Sequence, residues 1–201
     1  MYRWRKLEGE EQRKVLAWRQ QMRRPLHSVP HMDLGQRSYL VTAACFEHQP
    51  HIGYTTERMN AFTQEWLTVL ITHSVCIHAW VVLPNHYHAL LTTGDIIGTL
   101  KALGRLHGAT SFRWNGEEET RGRQVWCNVT ETAIKSDAHH HATQNYIHHN
   151  PVKHRYTAKW TEWPWSSAQE YLSEVGREEV SRLWKEYPIG DFGLGWDDAD
   201  L

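Results

Sequence analysis

The stretch that decides the fold is Val75-Cys76-Ile77-His78-Ala79-Trp80-Val81-Val82-Leu83-Pro84-Asn85-His86-Tyr87-His88-Ala89-Leu90-Leu91-Thr92. Val75 to Leu83 is dense enough in apolar and β-branched residues to be a central strand. Pro84-Asn85 is turn chemistry, and His86 to Thr92 returns as a second strand, so the whole reads as a hairpin. On the return strand His86 and His88 sit two apart and leave the same face, while Tyr87 points to the other.

Outward from the hairpin, the periodicity changes. Before it, Met59 to His73 places Phe62, Trp66, Leu67, Leu70 and Ile71 on one helical stripe facing the core. Earlier still, Ser38 to Phe46 reads as a strand. After the hairpin, Asp95 can cap a helix running to about Trp114, with Ile97, Leu100, Leu103 and Leu106 inward. Asn115 to Glu119 is a polar loop, and Arg123 to Thr132 is a fourth strand. Ser136 or Asp137 then caps a helix that carries Tyr146 and should end near Pro151. The order strand, helix, strand, strand, helix, strand predicts an α+β, ferredoxin-like βαββαβ sandwich with one extra helix. Trp163-Pro164-Trp165-Ser166-Ser167 reads as a loop, and Ala168 to Tyr187 as one more helix. Gly9 to Arg24 has Val15, Leu16, Trp18 and Met22 at helical spacing, which predicts an amphipathic arm.

The chain has 201 residues, enough for one domain with appendages. No apolar run reaches membrane-spanning length, and the charged, aromatic start (Met1 to Lys6) gives no sign of a signal peptide. Three widely spaced cysteines, Cys45, Cys76 and Cys127, suit a reducing cytoplasm better than a disulfide framework or a zinc ribbon. Net charge is near zero, but its distribution is uneven. Residues 1–30 are basic, with Arg3 and Arg5 flanking Trp4, and residues 174–201 are acidic. A basic head with interleaved aromatics predicts contact with a polyanion; the acidic tail reads equally as a solvated face.

The chemistry lies in two separated motifs, Asn85-His86-Tyr87-His88 and Tyr146-Ile147-His148-His149-Asn150-Pro151. Two neutral imidazoles on one strand face can hold a divalent ion and leave positions open for substrate oxygens. Tyr146 and Asn150, four apart on a helix, share a face and add a phenol and an amide oxygen. Such a set suits metal-assisted attack of a tyrosine on a phosphodiester, giving a phosphotyrosyl enzyme that keeps the energy of the ester. No GxxxxGK[ST] phosphate loop is present. Taken singly, each member has a structural alternative: a hydrogen-bonded His pair, a core tyrosine, a helix-ending Asn before Pro. The conjunction favours the site. The clusters His139-His140-His141 and His148-His149 also invite a second metal-site reading, although consecutive histidines diverge around a helix.

Leu83-Pro84-Asn85-His86-Tyr87-His88-Ala89-Leu90-Leu91 resembles the His-hydrophobic-His strand of tyrosine transposases related to the IS200 group. Tyr146 to Lys153 resembles their nucleophile helix, and Trp163-Pro164-Trp165-Ser166-Ser167 the short motif after it. Tyr2-Arg3-Trp4-Arg5-Lys6 and Pro25-Leu26-His27-Ser28 are further similar to the REP-associated subgroup, which acts on repetitive extragenic palindromes. The resemblance implies a single-strand DNA endonuclease of the HUH class in residues 38–160. A basic arm (1–37) would precede it, and a C-terminal loop, helix and acidic tail (161–201) would follow. It implies His86, His88 and Asn150 as ligands of Mg²⁺ or Mn²⁺ and Tyr146 as nucleophile. Cleavage beside a DNA hairpin would leave a 5′-phosphotyrosine and a free 3′-OH.

Many relatives carry Gln or a carboxylate where Asn150 stands, and His149 is an alternative third ligand. His154-Arg155-Tyr156 replaces the usual small residues. Recognition of DNA is expected from Arg3, Trp4, Arg5, Lys101, Arg105, Arg123 and Lys153, with Arg113 and Arg121 nearby. The expected partner is hairpin-bearing single-stranded DNA rather than a membrane. The expected compartment is the cytoplasm, in association with the nucleoid, and the expected state is a monomer, with a homodimer as the alternative. Two other readings stand beside this one: a domesticated hairpin binder that does not cut, and a replication initiator or relaxase.

Overall fold

In a computed structural model of the chain, residues 37–192 are described, with Glu10 alone before them. The arm helix, Arg3, Trp4, Arg5 and Trp18, and the tail from residue 193 lie outside the described residues. The chain divides into two units, Met1–Asp33 and Leu34–Leu201, and the sheet with its helices belongs to the second.

Strands β1 (Arg37–Ala44), β2 (Cys76–Val82), β3 (His86–Thr93) and β4 (Thr130–Ala133) form one sheet in the order β2-β3-β1-β4. Every pairing is antiparallel. Helix α1 (Thr56–His73) joins β1 to β2, and α2 (Ile96–Glu117) joins β3 to β4. This is the expected ferredoxin-like arrangement. Helix α3 (Asp137–Lys153) follows, and then α4 (Ala168–Val175) and α5 (Arg177–Glu186).

The period of two along the strands sorts residues between two cores. Tyr39, Val41 and Ala43 of β1 and Tyr87, Ala89 and Leu91 of β3 pack with Phe62, Trp66 and Leu70 of α1 and Leu103 and Trp114 of α2. On the opposite face Leu40, Val81 and Leu90 pack with Tyr146 and Ile147 of α3. Tyr87 therefore points away from its histidine neighbours, and its hydroxyl meets His107 Nε2 at 3.1 Å. Helix α3 is buried from Thr143 through His148 and again at Asn150 and Pro151. That explains why its sequence shows no clean apolar stripe: sheet lies on one side and α5 on another.

Caps behave as expected. Asp95 accepts from Gly98 N and Ser136 from His139 N. Three boundaries differ from expectation. The fourth strand is shorter than Arg123–Thr132, because Val125 and Trp126 turn into the core and Trp126 meets Cys45 only as an isolated bridge. Helix α3 does not stop at Pro151 but carries it in its last turn, ending with His154 N donating to Asn150 O. The predicted single helix Ala168–Tyr187 is two, because Gly176 adopts φ 87° and ψ 149°, which side chains disfavour. Among the described residues no helix is long and apolar enough to cross a membrane.

Candidate active site

Strand β3 is paired on both sides, so its backbone is held firmly and its even-numbered side chains project toward α3. His86 and His88 are both fully buried, their rings 5.0 Å apart. The β1–β3 register sets Thr42 opposite His88, and Thr42 Oγ1 lies 2.8 Å from His88 Nδ1. Asn85, at the hairpin turn, places Oδ1 2.7 Å from His86 Nδ1. With each Nδ1–H donating to these oxygens, each ring presents the lone pair of Nε2 toward α3.

Helix α3 answers with two side chains on one face. The hydroxyl of Tyr146 is 3.4 Å from His88 Nε2, close enough to direct its proton at that lone pair. Asn150 Oδ1 is 3.0 Å from His86 Nε2, and Asn150 is fully buried. With the amide oxygen facing the Nε2 lone pair, a cation between them satisfies both; with the amide turned, Nδ2 donates to the ring instead. Asn150 Nδ2 is buried and has no hydrogen-bond partner among the described residues. Two imidazole nitrogens and an amide oxygen on one side of a pocket suit a small divalent ion; two ligands of an octahedral ion sit about 3 Å apart when each is about 2.1 Å from it. The residues therefore fit the metal the sequence suggests. Among the described residues, no three His, Cys, Asp or Glu side chains converge on one point, so any cation site here depends on the amide.

Helix geometry separates the neighbours of Asn150. His149 lies on another flank of α3, edge-on to Trp184 at 5.8 Å, and is not beside His86. His139, His140, His141 and His148 also diverge, toward Phe192, His78, Tyr187 and Ser167 respectively. Among the described residues they form no second metal cluster.

Lys153, one helical turn past Asn150, holds its ammonium 5.3 Å from the centre of the Tyr146 ring. Lys101 and Arg105 are exposed on α2. Arg123 is placed differently from the expected phosphate contact. It donates to Glu118 Oε2 at 2.8 Å and to Asn115 Oδ1 at 3.0 Å, and its hydrogen bond holds the Glu118 carboxyl below the ordinary range. Arg113 pairs with Glu65, and Arg121 packs on Phe112.

Four residues that the sequence pattern does not mark as site residues stand beside those that it does. Thr42 and Asn85 orient the histidines. His154 sets its ring 4.9 Å from His86. Phe192 lies 5.3 Å from the Tyr146 ring, edge to face, and Tyr146 is only 1 % exposed. Asn85 is visible in sequence as the neighbour of the His-x-His motif and His154 as the residue four past Asn150, at the C-cap of the same helix; Thr42 depends on strand register and Phe192 on a distant segment.

No family model matches the sequence, and neither does any curated protein sequence. Solved structures do resemble it. A REP-associated tyrosine transposase bound to a REP hairpin superposes with a TM-score of 0.56 at 18 % identity, over 73 % of this chain and 85 % of that one. A transposase candidate from Deinococcus radiodurans gives a TM-score of 0.37 at 17 % identity, over 60 % of this chain and 95 % of that one. The chain has the fold of the first of these.

Proposed function

We propose that this chain is a REP-associated type of tyrosine transposase: a metal-dependent single-strand DNA endonuclease and strand transferase that works beside DNA hairpins. One observation carries the reading. The phenol of Tyr146 and the amide of Asn150, on α3, meet the Nε2 atoms of His88 and His86, on β3, at 3.4 and 3.0 Å. What supports the reading is the convergence of both histidines with both helix side chains, since hydrogen bonding satisfies each contact taken singly.

His86, His88 and Asn150 would hold Mg²⁺ or Mn²⁺, which when bound polarises the scissile phosphate and offsets its developing charge. Thr42 fixes the His88 ring so that Nε2 faces the Tyr146 hydroxyl; that lone pair accepts the phenol proton when the metal is absent and would ligate the metal when it is bound. The ammonium of Lys153, 5.3 Å from the centre of the Tyr146 ring, would attract a phosphate to the phenol. The phenolic oxygen then attacks phosphorus and its proton passes to solvent. The bond from phosphorus to the 3′ oxygen breaks, and that oxygen takes a proton to become the 3′-OH. The 5′ phosphate stays on Tyr146, and attack by a 3′-OH reverses the step.

Lys153 is placed for the scissile phosphate; Lys101 and Arg105 are exposed on α2, which covers the sheet face opposite Tyr146, and would contact only DNA that reaches round to that side. Arg3, Trp4 and Arg5 remain candidates for reading the flanking single strand.

The test is incubation of the purified protein and Mn²⁺ with hairpin-bearing single-stranded oligonucleotides from beside its own gene. A covalent protein–DNA adduct is expected, and it should vanish in Tyr146→Phe and in His86→Ala. An adduct that persists in Tyr146→Phe removes Tyr146 as nucleophile. Hairpin binding that survives chelation, with no adduct on any flanking sequence, favours a non-cleaving binder instead.

A further inference from the structure

Helix α3 has a second functional flank. Opposite the sheet, His149 lines a cavity of about 570 Å³ closed by the loop after α3 and by α4 and α5. Its wall is aromatic: Trp160 and Trp184 lie 5.2 Å apart with their planes 34° from parallel, and His149 meets Trp184 edge-on. Its lining includes three cations, Lys159, Arg177 and Lys185, and no carboxylate. All three are exposed, and Lys159 also pairs with Glu162 at 3.1 Å. The indole N–H of Trp184 is buried and has no hydrogen-bond partner among the described residues.

Apolar aromatic wall and cationic rim together select an anion with a flat apolar body. The volume lies within the usual range for small-molecule sites. We infer that the cavity binds one nucleotide, its base against Trp160 and Trp184 and its phosphate against Arg177, Lys185 and Lys159. Stacking on indole tolerates any base, so the site selects nucleotide chemistry rather than sequence. Two sources supply such a unit. One is a nucleotide of a DNA strand passing around α3, whose width is about 10–12 Å. The other is a free mononucleotide. The inference goes beyond the cleavage reading and needs neither Tyr146 nor a metal ion.

The experiment uses full-length Tyr146→Phe protein in excess chelator, so that failure of cleavage cannot be mistaken for failure of this site. Fluorescent oligothymidylate is titrated by anisotropy, and deoxyadenosine monophosphate by equilibrium dialysis. The exposed rim is reversed in Arg177→Glu/Lys185→Glu, with Arg182→Glu, on the same helix but outside the lining, as control. The double variant should weaken binding about tenfold or more, and the control should leave it within about twofold of the parent protein. Bromodeoxyuridine in the oligonucleotide should crosslink to the segment holding Trp160 or Trp184. Binding of the oligonucleotide alone assigns a strand subsite, and binding of the monophosphate as well assigns a free-nucleotide site. The inference is overturned if neither probe binds the parent protein, or if the double variant binds both as the parent does.

Discussion

At His88 the two ring nitrogens have different tasks, and a residue from another strand divides them. Thr42 Oγ1 holds Nδ1 at 2.8 Å, which leaves Nε2 for the phenol of Tyr146 or for a cation. Such outer partners are typically worth ten- to a hundredfold in metal affinity. Thr42→Val keeps shape and removes the oxygen. It should raise the Mn²⁺ concentration needed for half-maximal adduct formation by roughly tenfold while hairpin binding in chelator is unchanged. An unchanged Mn²⁺ requirement would show that Thr42 does not orient the ring. The His-x-His spacing was legible because period two admits no other outcome on a strand. Thr42 was not, since only the β1–β3 register sets it opposite His88.

Among the elements, α3 depends on the motif that comes after it in the chain. Trp165 O accepts from Val82 N, Ser166 bridges Val81, and Ser167 N donates to Trp80 O, so this segment runs along the exposed edge of β2. It covers the row of unpaired groups that an edge strand presents. Ser167 Oγ accepts from Trp80 N at 2.9 Å and lies 3.0 Å from Nε2 of the fully buried His148. Burial pushes His148 down to about 3, so the ring is neutral and serves as a clamp between α3 and β2. Ser167→Ala leaves two buried groups short of a partner and should destabilise the protein by about 1–3 kcal/mol. Adduct formation should slow while DNA affinity holds, and Ser167→Thr should restore part of both. A variant as stable as the parent protein would dismiss the clamp. The sequence marked Trp163 to Ser167 as a loop and as a motif of the resemblance, but not as a partner of β2, because β-edge pairing is not written in a five-residue pattern. The break at Gly176 was similarly hidden, since glycine also occurs inside longer helices.

The whole molecule carries two further consequences of burial. His107 stacks on Trp126 at 4.0 Å with planes 2° apart and accepts from Tyr87, and burial lowers it to about 3. In the unfolded chain its pKa returns to about 6.5. Its contribution is therefore complete above about 6.5 and is lost as pH falls toward about 3, at about 1.4 kcal/mol per pH unit. Urea midpoints should fall between pH 7 and pH 5, and His107→Gln should flatten that fall by about one proton's worth. An equal slope in the variant would mean that other groups set it. The second consequence concerns access. Phe192 packs on Tyr146, which is 1 % exposed, so on the proposed reading a substrate phosphate would reach the phenol once this contact opens. Phe192→Ala should speed adduct formation on the order of tenfold if about 1.4 kcal/mol of packing is lost; a slower reaction would make Phe192 part of the substrate site instead. Alternation and helical spacing, being local, determined from sequence alone the βαββαβ order, the shared face of His86 and His88, and the pairing of Tyr146 with Asn150. Only the tertiary structure decided that Asn150 rather than His149 confronts His86, that Arg123 turns inward to Glu118, and that Phe192 covers the phenol. Those outcomes depend on which surfaces pack together, and packing is a property of segments far apart in the chain.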